Sequence, residues 1–231
     1  MSDTLERRDA DAFRPSTGAA ANYWVSPDVV VMSGPNDAPA EAIRALRTHV
    51  VAQHIEEGRR ALSICAAAEN SGCSFISVNL AVSLAQVGIK TILIDGNLRK
   101  PGLGAFIRPS ERGPGLAQCL KSDDTNFGGF IDSEIIPGLS IMYAGDGAAS
   151  ESLSGSRFEA LMSFCLRDYE MTIVDTPPAN SSSDARRVST VLGYGLVVAR
   201  RNRSRVNDLR TLIGQLEGDR AKVIGTVLNE F

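Results

Sequence analysis

Lysine is scarce in this chain. It stands only at positions 90, 100, 121 and 222, so arginine carries most of the basic charge. Any phosphate chemistry that depends on lysine has few residues to draw on. Cysteine pairs at metal or redox spacing are missing as well. Cys65, Cys73, Cys119 and Cys165 form no C-x-x-C, and neither His49 nor His54 stands beside one at ligand spacing. Four reduced, partly buried thiols are expected. No apolar run approaches the ~20 residues needed to cross a bilayer. The opening MSDTLERRDADAF alternates acids with arginines and lacks the apolar centre of a signal peptide. A cytoplasmic chain is expected, with any membrane role supplied by a partner and no direct insertion. No G-x-G-x-x-G follows the first buried strand, which argues against a Rossmann dehydrogenase.

What remains is the sequence of one α/β domain with an arm. The 231 residues are enough to bury a full core, with 43% hydrophobic and 22% charged residues. A net charge of −3 argues against a generally basic nucleic-acid binder and leaves room for a local patch. Residues 1–27 read as a polar, aperiodic arm. Tyr23 and Trp24 are its aromatics besides Phe13, so that part is the one to dock locally. Residues 28–231 form the domain.

Within the domain, 28–32 reads as a short edge strand. A helix opens at Pro39 and runs to about Glu57, with Gly58 as its stop. Buried strands are expected at 61–67, 91–94, 139–143, 171–174, 195–199 and 223–228. Helices are expected at 74–87, 115–120, 157–169, 184–192 and 206–216. Continuous apolar strands alternating with helices predict a mostly parallel sheet flanked by helices on both faces. Ligands of such sheets lie beyond the C-terminal strand ends.

Three strand ends carry chemistry. The first strand leads through AAAENSGCS, residues 66–74, into a helix, and a strand, small-residue loop and helix N-terminus make an anion site. Against the pattern G-x-x-x-x-G-K-[ST], Gly72 and Ser74 fit, Ala67 stands at the first glycine and Cys73 at the lysine. The second strand ends at Asp95 and the strand at 171–174 ends at Asp175, followed by Pro177 and Pro178. A carboxylate at such a tip can hold Mg²⁺ or orient a nucleophile, or simply cap the turn after it.

In order and spacing, the loop, ILIDGNLRKP and TIVDTPP resemble the bacterial tyrosine kinases (BY-kinases) of capsule and exopolysaccharide synthesis. The six-residue step from Cys73 to Asn79 keeps the family's lysine-to-Asn register. EAIRALR matches E-x-x-R-x-x-R at Glu41, Arg44 and Arg47, and GTVLN resembles the closing family strand. The resemblance covers about residues 28–229. It implies a P-loop fold, ATP/ADP with Mg²⁺, and a chain-length-determining membrane protein whose cytosolic tail activates the domain at the inner membrane. It also implies a homo-oligomeric ring through Glu41, Arg44 and Arg47, and no nucleic-acid partner. The site it implies comprises Gly72, Cys73 and Ser74 at the phosphates, Ser74, Asp95 and Asp175 at the metal, Asp95 and Asp175 in catalysis, and Asn229 at the adenine.

The departures matter equally. Cys73 replaces the lysine, Asn97 replaces the second acid of D-x-D, and no tyrosine cluster follows the last strand. Tyr143, Tyr169 and Tyr194 fall in or beside core elements, leaving Tyr23 as the exposed one. These changes predict weak nucleotide binding and impaired phosphotransfer, with Arg99 and Lys100 as substitute cations. An active autokinase is the second reading, and a partition-type ATPase the third. D-x-x-x-R-K-P and E-x-x-R-x-x-R point away from the third.

Overall fold

The computed structural model describes residues 23–146, 153 and 155–230. The arm through residue 22, including Phe13, lies outside them. A seven-stranded sheet forms the centre, in the order β5-β6-β3-β7-β2-β8-β9. Its strands are β2 (Ala61–Cys65), β3 (Thr91–Asp95), β5 (Asp132–Ile136), β6 (Leu139–Met142), β7 (Met171–Asp175), β8 (Tyr194–Arg200) and β9 (Lys222–Asn229). All neighbours run parallel except β5, which returns antiparallel along β6. Every residue of β2, β3 and β7 is buried, as their unbroken apolar runs require.

Helices cover both faces. On one side lie α1 (Val30–Ser33), α2 (Ala38–Val50) and α3 (Cys73–Ala85). On the other lie α4 (Leu116–Lys121) and α5 (Ser156–Asp168), with α6 (Asp184–Leu192) and α7 (Val206–Gly218) packed toward β8. Residues 76–85 of α3 are all buried, which explains why its apolar positions form two stripes. No helix of the described residues is long and apolar enough to cross a membrane.

Four expectations are corrected. The run at 28–32 is not a strand. Asn79 of α3 and Gln86, the residue that caps its C-terminal end, bind its backbone: Asn79 Nδ2 donates to Asp28 O at 3.0 Å and Gln86 Nε2 to Val31 O at 3.2 Å. Those side chains satisfy groups that would otherwise seek a neighbouring strand, and the segment turns into α1. The helix expected to reach Glu57 changes character after Val50, continuing as a π-helical turn, Val51–Ile55. That turn buries His54 against Tyr194, with ring centroids 4.9 Å apart, and sets its Nε2 3.0 Å from Ala61 O. Tyr23 is half-buried in β1 (Tyr23–Val25), which pairs antiparallel with β4 (Ile107–Pro109). It is not exposed on an arm. Finally, β4 and β5 were not anticipated in the loose stretch between β3 and β6.

Candidate functional site

Gly72 ends the loop after β2 in the left-handed conformation, with φ of 93°, and α3 begins at the next residue. Only glycine fits there. A Cβ on Gly72 would lie 2.1 Å from Asn229 Nδ2, besides the strain of its φ. The first intrahelical bond runs from Ile76 N to Gly72 O at 3.0 Å. The N–H groups of the first turn, those of Cys73 and Ser74 among them, therefore have no intrahelical carbonyl to reach. Together with the helix dipole they make a seat for an anion.

This seat opens on a cavity of about 460 Å³ lined by Asn70 to Phe75, Asn97, Arg99 to Gly102 and Thr176 to Pro178. The chain after β3 closes tightly over it. A Cβ on Gly102 would stand 2.4 Å from Ser74 Oγ. Lys100 Nζ reaches Glu69 at 3.6 Å and Arg99 Nε lies 4.0 Å from Asp184, so both cations stand at the rim.

The two strand-end acids meet. Asp95 and Asp175 are Cα partners across β3 and β7. Asp175 accepts from Ser74 Oγ at 2.5 Å and Ser77 Oγ at 3.1 Å. Asp95 accepts the backbone N–H groups of Asn97, Gly102 and Leu103 at 3.2, 3.0 and 3.1 Å. Burial raises both carboxyls. Asp175 is raised further by Asp95 beside it, against the lowering effect of the serine hydroxyls, while the backbone donors partly offset the rise at Asp95. Asp95 also lines a second cavity of about 320 Å³, with Arg108, Arg112 and Tyr143 on its walls.

Cys73 is half-buried at the mouth of the larger cavity. Burial first, then the charges of Asp175 and Cys65, push its thiol well above the usual range. A helix N-terminus can lower a thiol pKa, and desolvation and the neighbouring acid act in the opposite direction here. Residue 73 is a neutral thiol. It neither repels phosphate as a thiolate nor neutralises it as an ammonium. All four cysteines are free, with Cys65, Cys119 and Cys165 buried.

A Mg²⁺–nucleotide fits the remaining residues. Ser74, Asp175 and Asp95 present hard oxygen donors at one place, beside a glycine-shaped anion seat. Bound there, the metal would supply positive charge to the phosphates. Asn229 lies beside the seat, its Nδ2 bound to Ser71 O at 3.1 Å. Its side chain pins the loop, a role the sequence did not reveal.

The Glu41/Arg44/Arg47 group is divided. Arg44 and Glu41 pair on the outer face of α2 at 2.8 Å. Arg47 turns inward, its Nη1 donating to Ser83 Oγ at 3.2 Å and Ser83 O at 3.4 Å on α3. The three side chains therefore do not share one solvated face.

No family model matches the chain. It is 28% identical to "Putative tyrosine-protein kinase CapB" of Staphylococcus aureus, over 90% of each chain. It is 30% identical to "Tyrosine-protein kinase etk" of Escherichia coli K12 over 87% of its own length, and it spans 28% of that longer protein. It spans 26% of "Putative tyrosine-protein kinase EpsB" of Ralstonia nicotianae, also at 30% identity. Among solved structures, the kinase domain of Escherichia coli ETK superposes with a TM-score of 0.78 at 27% identity, over 99% of this chain and 86% of that one. The septum site-determining protein MinD of Pyrococcus horikoshii, solved with Mg-ADP, shares the fold at a TM-score of 0.62 and 18% identity, over 75% of this chain and 71% of that one. Over nearly its whole length the chain is therefore similar to bacterial tyrosine kinases, and these relatives support that family for it, with Cys73 where the phosphate-loop lysine is expected.

Proposed function

We propose that this chain is a regulator of exopolysaccharide polymerisation and export, acting with a chain-length-determining membrane protein at the inner membrane. In this reading it retains a Mg²⁺–nucleotide cradle and is impaired in phosphotransfer. The observation that carries it is the neutral thiol of Cys73 at the mouth of the cavity that Ser74 and Asp175 serve. A donor that follows charge into the transition state is worth roughly 3–4 kcal/mol, or about 10²–10³ in rate. A neutral thiol cannot supply that. The protein would then control chain length by conformation and assembly, with nucleotide setting its state.

The test is nucleotide affinity with and without Mg²⁺ for the native chain and for Cys73→Lys. Restoring lysine should tighten Mg-ADP binding by at least about tenfold and raise phosphate transfer from ATP in the presence of the membrane partner. Equal affinity in both proteins, or native turnover matching the lysine variant, overturns the reading.

One observation favours the second reading, an active tyrosine autokinase. Arg99 and Lys100 stand on the cavity rim, and Lys100 is one of only four lysines in the chain. If they substitute for the missing lysine, Arg99→Ala weakens nucleotide binding and native protein carries phosphotyrosine by mass spectrometry.

A further inference from the structure

The chain is net negative, yet residues 200–205 read R-R-N-R-S-R, four arginines in six positions. They form the turn between β8 and α7, at the end of the sheet where the nucleotide cavity opens. The turn is built. Asn202 takes φ of 60°, and Arg200 O accepts the N–H groups of Arg203 and Ser204 at 3.2 and 2.9 Å. Ser204 Oγ accepts Arg200 N at 2.8 Å, and Arg201 N donates to Asn229 O at 2.8 Å. So anchored, the turn holds Arg201, Arg203 and Arg205 exposed. Of these, Arg201 meets Glu230 at 3.0 Å, while Arg203 and Arg205 have no acid partner among the described residues. The next residue, Val206, is 61% exposed, more than any other large hydrophobic side chain among them. Asp208 is the nearby acid on α7.

We propose that this arginine turn is a docking surface for anionic phospholipid. Guanidinium groups bind phosphate bidentately and shed water more readily than ammonium groups. An exposed apolar side chain beside cations is the composition that settles at the headgroup boundary of a bilayer. Val206 is what separates this partner from a nucleic acid, whose phosphate backbone offers an apolar side chain nothing. Arg200 links the surface to the site: its Nη1 donates to Asn70 O, in the phosphate loop, at 2.8 Å. Docking would set the cavity mouth beside the membrane, in addition to any recruitment through a protein partner. The inference is independent of whether the chain transfers phosphate.

The test is co-sedimentation of the full chain with vesicles of equal parts phosphatidylcholine and phosphatidylglycerol, and with phosphatidylcholine alone, at low and raised salt. Binding should need phosphatidylglycerol and weaken with salt. Each of Arg203→Glu and Arg205→Glu should lower it by at least about fivefold. Val206→Ser should lower it by about two- to fivefold with the salt dependence unchanged. Melting temperatures of these variants should match the native chain, because the side chains are exposed. Equal binding to neutral vesicles, or native binding by the double arginine variant, overturns the proposal. Tighter binding to a short DNA duplex than to phosphatidylglycerol vesicles at the same salt overturns the lipid assignment.

Discussion

Ser74 Oγ donates to Asp175 Oδ2 across 2.5 Å, joining the first helical turn after the phosphate loop to the tip of a strand 101 residues away. The buried carboxyl of Asp175 is a cost to stability and the core of the proposed metal site at once. Those two roles respond oppositely to substitution.

Asp175→Asn separates them. The native carboxyl is buried and held toward its neutral form, so an amide of the same shape removes a charge the interior disfavours. The variant should melt at least about 2 °C higher, which corresponds to ~1 kcal/mol in a domain of this size. Mg²⁺ should add nothing to its nucleotide affinity. A lower melting temperature, together with retained Mg²⁺ dependence, contradicts both assignments.

The pH response follows from the same carboxyls. Their folded pKa values are raised above 3.8, Asp175 to about 7. Between those limits the folded state binds more protons than the unfolded chain. Without metal, stability from this pair therefore falls as pH rises through that window. Metal binding needs the carboxylates ionised, so stabilisation by Mg²⁺ should grow over the same range. Melting curves from about pH 5 to about pH 8, with and without Mg²⁺, should diverge as pH rises. Parallel curves would remove the pair from the metal site.

Arg44 and Arg47 should behave differently despite their shared motif. Arg47→Ala loses two bonds to Ser83 and packing between α2 and α3, about 1 kcal/mol, or roughly 2–4 °C. Arg44→Ala loses an exposed pair with Glu41 worth less than about 0.5 kcal/mol. If α2 forms the proposed subunit contact, Arg44→Glu lowers oligomer mass in light scattering at an unchanged melting temperature. An unchanged mass would point to another contact.

Gly72→Ala tests the anion seat. The new Cβ meets Asn229 Nδ2 at 2.1 Å in a backbone region that L-residues avoid. A loss of about 1–3 kcal/mol is expected, accompanied by loss of nucleotide binding. Calorimetric unfolding and ADP titration check the two parts. A variant as stable as the native chain would mean the loop rearranges freely.

Much of this was legible in sequence. The unbroken apolar runs of β2, β3 and β7 identified the centre of the sheet, because strands buried on both faces have no polar side to show. Gly72, Ser74, Asp95 and Asp175 were found because each stands at a strand end or the turn beyond it. Less legible was whatever depends on a partner distant in sequence. The valines at 29 to 31 resemble a strand until Asn79 and Gln86 bind their backbone. Arg47 looks like an outward charge until Ser83 is placed opposite it. The raised thiol of Cys73 required knowing that the fold buries it, with Asp175 and Cys65 nearby.

The bond from Asn229 to Ser71 spans 158 residues. It makes the last strand a latch on the first loop. During synthesis, β2 and α3 leave the ribosome long before that latch exists. The pocket can therefore reach its finished shape only once β9 has joined β8, and a nascent chain lacking that strand would carry the motif without the receptor.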